Sequence, residues 1–172
     1  AVRELLIEKG EVTAAEVTAQ IDAMDARTPA NGAQVVARAW SDPDFKARLL
    51  ANGSEAAREM GFDIGPMHLV AVENTADTHN LIVCTLCSCY PRNLLGLPPD
   101  WYKTREYRSR AVREPRAVLR EFGLNLPDTT TLRVHDSTAD MRYVVLPARP
   151  DSTDNMSQDA LAALVTRDSM IG

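Results

Sequence analysis

Val2, Leu5 and Leu6, and then Val17, Ile21 and Met24, recur at the spacing of one helical face. Val35, Val36 and Trp40 continue the rhythm. Phe45, Leu49 and Leu50 take it up again after Ser41-Asp42-Pro43. That tripeptide predicts a stop and a restart: Ser41 or Asp42 caps the next helix, and Pro43 suits its first turn. Gly10 and Pro29-Ala30-Asn31-Gly32 punctuate the rest. Residues 1 to about 60 therefore read as three or four helices. From His68 the period changes. H-L-V-A-V-E and N-L-I-V-C are short β-branched runs, the pattern of strands. Residues 101–122 read as helix again, with a break or restart forced at Pro115. T-L-R-V-H and M-R-Y-V-V-L-P flank a turn-forming D-S-T-A-D, which predicts a β-hairpin. Ser157 to Thr166 reads as a capped amphipathic helix with Leu161, Leu164 and Val165 on one face.

The expected fold class is α+β. A helical N-terminal arm (1–62), suited to embracing a partner, precedes a layered α/β domain (63–172). Short strands there carry a cysteine loop. The chain has 172 residues, 45% of them hydrophobic, enough for a core. A net charge of −5 argues against general nucleic-acid binding. No apolar run approaches the roughly 18 residues of a membrane span, so no membrane role is expected. No signal-peptide pattern is visible, and the first residue is Ala rather than Met, so the natural N-terminus is expected further upstream.

All three cysteines fall in V-C-T-L-C-S-C-Y, as Cys84, Cys87 and Cys89. Clustered thiols with no partners elsewhere fit a reducing compartment, the cytoplasm, and metal or redox chemistry. A tetrahedral zinc site wants a fourth ligand, and His79 is a weak candidate for it. The tight spacing offers another set. If Cys87 and Cys89 bind one metal, the amide nitrogens of Ser88 and Cys89 come within reach through small chelate rings. Two thiolates and two deprotonated amides make a strong-field plane, with Cys84 on the axis and one position open. Such a set suits a trivalent low-spin metal better than zinc, and an open Lewis-acid position suits catalysis. A zinc knuckle completed by a partner, or a disulfide between two of the thiols, remains an alternative.

C-T-L-C-S-C-Y resembles the metal motif of nitrile hydratase α subunits in their cobalt form, with Thr85 and Tyr90 where the iron form usually carries Ser and Thr. A-R-A-W-S-D-P-D-F-K, V-A-V-E-N-T, L-G-L-P-P-D-W-Y-K, E-Y-R-S-R-A-V-R-E-P-R-A-V-L, R-Y-V-V-L-P-A-R-P and V-T-R-D-S-M-I-G are similar to the same family. A-V-R-E-L-L-I-E-K-G is similar to the γ subunit of thiocyanate hydrolase, a relative. The resemblance implies non-corrin Co3+, iron being the lesser alternative, held by the sulfurs of Cys84, Cys87 and Cys89 and the backbone nitrogens of Ser88 and Cys89. It implies Cys87 as sulfinic and Cys89 as sulfenic acid, paired with arginines of a β-type partner subunit. It further implies an activator or metallochaperone protein, and water addition to a nitrile, with Cys89 or a water as nucleophile and the Ser88 hydroxyl near the substrate.

Two departures bear on the pocket. Arg92-Asn93 stands where the family commonly has Trp-Pro, and an arginine there is similar to thiocyanate hydrolase. The stretch Gly65-Pro66-Met67-His68 is about two residues short and lacks a Gln or Glu near the metal. Arg92 and Tyr90 are thus the expected substrate-pocket residues. The pattern suits the three-subunit kind in which the β partner is split, toyocamycin nitrile hydratase among them. A thiocyanate-hydrolysing subunit or a non-catalytic zinc module is the alternative.

The basic run Lys103, Arg105, Arg108, Arg110, Arg113, Arg116 and Arg120 reads first as a solvated or subunit-facing helix paired with Glu106, Glu114 and Glu121. Support of oxidised cysteines and nucleic-acid contact are its other readings. Trp101, Tyr102 and Tyr107 read as packing residues, and His68 and His135 as ordinary polar positions.

Overall fold

The computed structural model describes Val2 to Gly172. Ala1, the first residue of the stretch similar to thiocyanate hydrolase, lies outside the described residues. The helices are α1 (Val2–Glu8), α2 (Ala14–Asp25), α3 (Pro29–Ser41), α4 (Pro43–Ala51), α5 (Gly53–Glu59), α6 (Arg92–Leu95), α7 (Arg105–Arg113), α8 (Pro115–Glu121) and α9 (Gln158–Ala162). The strands are β1 (His68–Glu73), β2 (Thr78–Val83), β3 (Thr131–Asp136) and β4 (Met141–Leu146).

Helix starts follow side-chain caps. Asp42 accepts from the Phe45 amide at 2.9 Å with Pro43 behind it, as the sequence predicts. Asn52 accepts from the Glu55 amide at 3.2 Å and starts α5 directly after α4. Thr13 and Glu16 form a reciprocal capping box at the start of α2. The N-terminal part therefore has five helices where three or four were expected. The extra starts come from Asx and Thr caps, which leave no mark on hydrophobic periodicity. Pro115 separates α7 from α8 as expected. The helix expected from Ser157 to Thr166 is shorter. Ser157 caps it, but it ends at Ala162 and leaves Leu164 exposed.

The β-hairpin does not form. β1 pairs with β4 in parallel, His68 opposite Met141 through Glu73 opposite Leu146. β2 pairs with β3 in parallel, Thr78 opposite Thr131 through Val83 opposite Asp136. Ser137 still extends the β2 ladder by donating to the Val83 carbonyl, whereas His68 opens the other ladder by donating to Asp140. The turn between β3 and β4 thus hands the chain from one sheet to the other. Alternating patterning gives a strand one buried face but does not name its neighbour. The parallel β2–β3 pair needs a long crossover, which α6, α7 and α8 supply.

α3, α4 and α5 share one core with the strands. Val35, Phe45, Leu49 and Ala57 lie in the same buried cluster as Leu69, Leu81, Val145 and Tyr102. α1 and α2 differ, for neither buries any residue. Val2, Leu5, Ile21 and Met24 are all exposed.

At the start of α5 a helix touches a strand backbone. A Cβ on Gly53 would lie 2.6 Å from the Leu69 carbonyl oxygen, and Ser54 Oγ accepts from the Leu69 amide at 2.8 Å. Gly53→Ala should force α5 off β1 at a cost of about 1–3 kcal/mol. The expected result in thermal unfolding of the assembled protein is a Tm lower by several degrees. An unchanged Tm would show that this approach is not tight.

Candidate metal centre

β2 ends in the buried run Leu81-Ile82-Val83, and Cys84 follows it with no exposed surface. The chain then leaves the core: Thr85, Leu86, Cys87 and Ser88 are exposed, Cys89 is half-buried, and Tyr90 is buried again. This return brings the thiols together. Cys84 Sγ lies 3.6 Å from Cys87 Sγ, and Cys87 Sγ lies 3.3 Å from Cys89 Sγ. All three sulfurs fall within 4.8 Å of one another, and no His or carboxylate joins them among the described residues. His79 is thus no fourth ligand.

The donor set fits one shared metal. Two sulfurs at about 2.3 Å from a common ion, at a right angle, are about 3.3 Å apart. A disulfide needs about 2.05 Å. The Cys87 amide donates to the Cys84 sulfur at 3.3 Å, so the loop backbone itself ties two of the three thiols together. The thiols cannot all ionise alike. The Cys89 thiol, the Ser88 amide and the Cys84 thiol hold the Cys87 pKa below its ordinary value. Burial, then the Cys87 and Cys84 thiols, push Cys89 up to about 12, with Arg142 pulling the other way. A cation in their midst removes this conflict, because it favours every thiolate at once.

The loop is held by its backbone carbonyls and by Thr85. Tyr102 Oη donates to the Cys89 carbonyl at 2.8 Å, and Arg108 Nη1 donates to the Cys87 carbonyl at 2.5 Å. Tyr107 Oη donates to the Ile82 carbonyl at 2.5 Å, just before the loop. Asp136, at the end of β3, accepts from the Thr85 amide at 2.9 Å and from its hydroxyl at 2.5 Å. Parallel register puts Asp136 opposite Val83 and so beside the loop's first residues.

The expected packing role of Trp101, Tyr102 and Tyr107 is what the rings show, with Trp101 4.8 Å from Tyr107 and Tyr102 5.6 Å from Tyr107. The hydroxyl contacts of Tyr102 with the loop and of Tyr107 with the strand before it were not anticipated. Asp136 was missed altogether, for it lies 51 residues from Thr85 and only strand register brings it near. The basic run divides its work. Arg110 pairs with Glu114 and Glu121 at 2.7 and 2.6 Å, as the solvated-helix reading expects. Arg116 holds the carbonyls of Pro127 and Thr130, and Arg108 holds the loop.

Tyr90, expected at the pocket wall, sits in the core with its ring against Tyr102 at 5.2 Å. It anchors the loop's exit. Arg92 is exposed at the start of α6, three residues past Cys89. The two sequence departures meet in space, since a Cβ on Gly65 would lie 2.8 Å from Asn93 Nδ2. His135 is an ordinary polar position, its Nε2 2.8 Å from Asn80 Oδ1.

A strand-end loop that gathers three thiols within 4.8 Å of one another defines a candidate thiolate metal centre. The family model "Nitrile hydratase, alpha chain" matches residues 1–172, and the chain belongs to that family. It is 49% identical over 177 residues to the cobalt-containing nitrile hydratase subunit alpha of Pseudonocardia thermophila, covering 100% of this chain and 86% of that one. It is 42% identical over 184 residues to the thiocyanate hydrolase subunit gamma of Thiobacillus thioparus, covering 100% and 76%. A recombinant thiocyanate hydrolase with partially modified cobalt centers superposes with a TM-score of 0.92 at 42% identity, over 99% of this chain and 84% of that one. A double mutant of the Fe-type nitrile hydratase of Comamonas testosteroni Ni1 gives 0.91 at 47%, with the same coverage.

Asp136→Asn keeps the size of the side chain but weakens two charge-assisted hydrogen bonds on Thr85. The expected outcome is a severalfold loss of metal per chain by elemental analysis of the assembled protein, with far-UV circular dichroism unchanged. Full metal content would remove Asp136 from the support of the loop.

Proposed function

We propose that this chain is the metal-bearing α subunit of a cobalt-type nitrile hydratase, a lyase that adds water to a nitrile to give the amide. The observation that carries the reading is the convergence of the three sulfurs on a largely exposed loop. Cys84, Cys87 and Cys89 would hold Co3+ through sulfur, and Ser88 and Cys89 through backbone nitrogen. The cobalt-containing names of the relatives favour that metal over iron. When bound, the ion supplies a Lewis acid that polarises the nitrile.

The chain's own residues do the rest. Cys87 as sulfinic and Cys89 as sulfenic acid add acceptor oxygens on the exposed side of the loop. The Cys89 sulfenate oxygen, or a water it orients, faces the nitrile carbon. The water oxygen bonds to that carbon, and both of its protons end on nitrogen after tautomerisation to the amide. Ser88 is exposed on the same loop, and its hydroxyl would hydrogen-bond the substrate or a sulfur oxygen. Tyr102, Arg108 and Asp136 keep the loop from relaxing as its charge changes.

The surface around the loop needs a cover. Leu86 is 88% exposed and Leu97 is 69% exposed. α1 and α2 are in the same condition, and helices of 7 and 12 residues without a packed face are marginal in water. We take both surfaces as the contact with a β-type subunit, in one chain or two, that supplies the arginines for the oxidised cysteines and closes a water-excluding pocket. An activator protein would load the metal, in the cytoplasm.

Thiocyanate hydrolysis is the second reading, and Arg92 favours it. Arg92 has no hydrogen-bond or ion-pair partner for its side chain among the described residues, so its charge is available to an anion. A neutral heteroaromatic nitrile with a polar substituent is the substrate class we favour, because Arg92 and Asn93 make that wall polar.

Assay of the copurified assembly decides between these readings. The expected order is heteroaromatic nitrile, then alkyl nitrile, then thiocyanate. Cys84→Ser, Cys87→Ser and Cys89→Ser should each abolish both cobalt retention and turnover. Arg92→Trp should retain cobalt and shift preference towards apolar nitriles. If thiocyanate is the true substrate, the same variant should lose about thirtyfold or more in kcat/KM on it, and wild-type turnover of thiocyanate should exceed that of both nitriles. Zinc on plain thiolates in an inactive assembly would support a non-catalytic module.

Charge placed on the arm tests the partner contact. Ile21→Asp with Met24→Asp should weaken copurification of the partner at least tenfold, while metal-loop variants leave copurification intact. Undiminished copurification would place the contact elsewhere.

A further inference from the structure

Three side chains hold carbonyls of the metal loop and of the strand before it, and they differ in charge. Tyr107 Oη donates to the Ile82 carbonyl at 2.5 Å, and Tyr102 Oη donates to the Cys89 carbonyl at 2.8 Å. Both donors are neutral hydroxyls. The Cys87 carbonyl is held by a cation instead, Arg108 Nη1 at 2.5 Å.

A peptide unit spreads its electrons over oxygen, carbon and nitrogen, so each carbonyl is conjugated to the nitrogen of the next residue. The Ile82 carbonyl goes with the Val83 nitrogen, and the Cys89 carbonyl with the Tyr90 nitrogen. Neither nitrogen belongs to the proposed ligand set. The Cys87 carbonyl goes with the Ser88 nitrogen, which does. The one cationic donor of the three therefore sits on the one peptide unit that would bind the metal.

Arg108 lacks a counterion. No carboxylate pairs with it among the described residues, and on the same helix Arg110 takes both Glu114 and Glu121. The residue is half-buried, and its Nε is buried without a hydrogen-bond partner. The recess it lines also holds Arg105 and Arg113, and no acidic side chain lines it. A partly desolvated cation without an anion is unfavourable. The loaded loop supplies the missing charge, for three thiolates and two deprotonated amides carry more negative charge than Co3+ can cancel.

We propose that Arg108 is the counter-charge of the loaded loop, stabilising the negative charge that a metal-bound Ser88 nitrogen shares with the Cys87 oxygen. Charge held on oxygen is charge the nitrogen donates less strongly, so the open position stays a better Lewis acid. Arg108 acts through the Cys87–Ser88 peptide and is a positioning residue. This role rests on the proposed ligand set, with the Ser88 nitrogen in it.

Cobalt per chain and the visible spectrum of the copurified assembly test it, in wild type, Arg108→Lys, Arg108→Gln and Tyr102→Phe. Arg108→Gln offers a donor without charge. It should lower cobalt per chain severalfold, since charge-assisted bonds are the stronger ones. It should also move the sulfur-to-cobalt charge-transfer band to shorter wavelength, because an uncompensated nitrogen is the stronger donor. Arg108→Lys restores the charge and should restore both. Tyr102→Phe removes a loop bond of the neutral kind and should leave the band in place. An unmoved band in Arg108→Gln would overturn the proposal, as would an equal shift in Tyr102→Phe or in Arg108→Lys. If Arg108→Gln holds no cobalt, Arg108→Lys decides: recovery of cobalt and band supports the role, and its absence overturns it. Cobalt K-edge X-ray absorption of the wild type checks the ligand set separately. Sulfur with at most one light ligand atom would remove the Ser88 and Cys89 nitrogens from the metal, and the role of Arg108 with them. Sulfur with two or more light atoms and an unmoved band would remove the role of Arg108 alone.

Discussion

Three sulfurs packed within 4.8 Å of one another will not stay there by themselves. As thiolates they repel, and as thiols they gain little from each other. The protein must hold the loop from outside, and it does so mostly through main-chain groups. Cys87 and Cys89 lend their carbonyls to Arg108 and Tyr102, Thr85 lends its amide and hydroxyl to Asp136, and the preceding Ile82 carbonyl is taken by Tyr107. Each such bond contributes about 1 kcal/mol net. Together they oppose the opening that the sulfurs favour, and they leave the sulfurs free for a metal.

Those anchors explain much of the rest of the fold. Tyr102 and Tyr107 reach the loop because the crossover from β2 to β3 runs over it, with Trp101 and Phe122 packed alongside. Asp136 reaches it because β3 lies parallel to β2 with Val83 opposite Asp136. An antiparallel hairpin of β3 and β4 would leave that register without a reason. The connection from β1 to β2, which also takes the chain from one sheet to the other, needs its own support. There Asn74 and Asn80 bond each other, and Asn80 also bonds the Glu73 carbonyl and His135. Both asparagines are buried, so this network is strong only because its oxygens are matched to donors.

The exposed apolar surface has a pattern too. α1, α2 and Leu86 of the metal loop carry part of it, whereas α3 to α5 are seated against β1 and the shared core. A Cβ on Gly65 would lie 2.8 Å from Asn93 Nδ2, so the two places where a departure from the family's usual form is expected are neighbours. A change in one is therefore a change in the space available to the other.

Much was legible in the chain alone. The cysteine loop declared its chemistry because ligand spacing is a local property: three thiols within six residues can meet without help from distant segments. The caps at Asp42 and Ser157 and the break at Pro115 were legible for the same reason, since each acts over one turn of helix. Tertiary structure decided what locality cannot carry. β4 chose β1 over β3, because alternation fixes a face and not a neighbour. Tyr90 went into the core against Tyr102, where its place after Cys89 suggested the pocket. Asp136 became the clamp on Thr85 across 51 residues, and His79 lies outside the sulfur cluster. Contacts between remote residues depend on how strands pair and helices cross, and that is settled by burial summed over the whole chain.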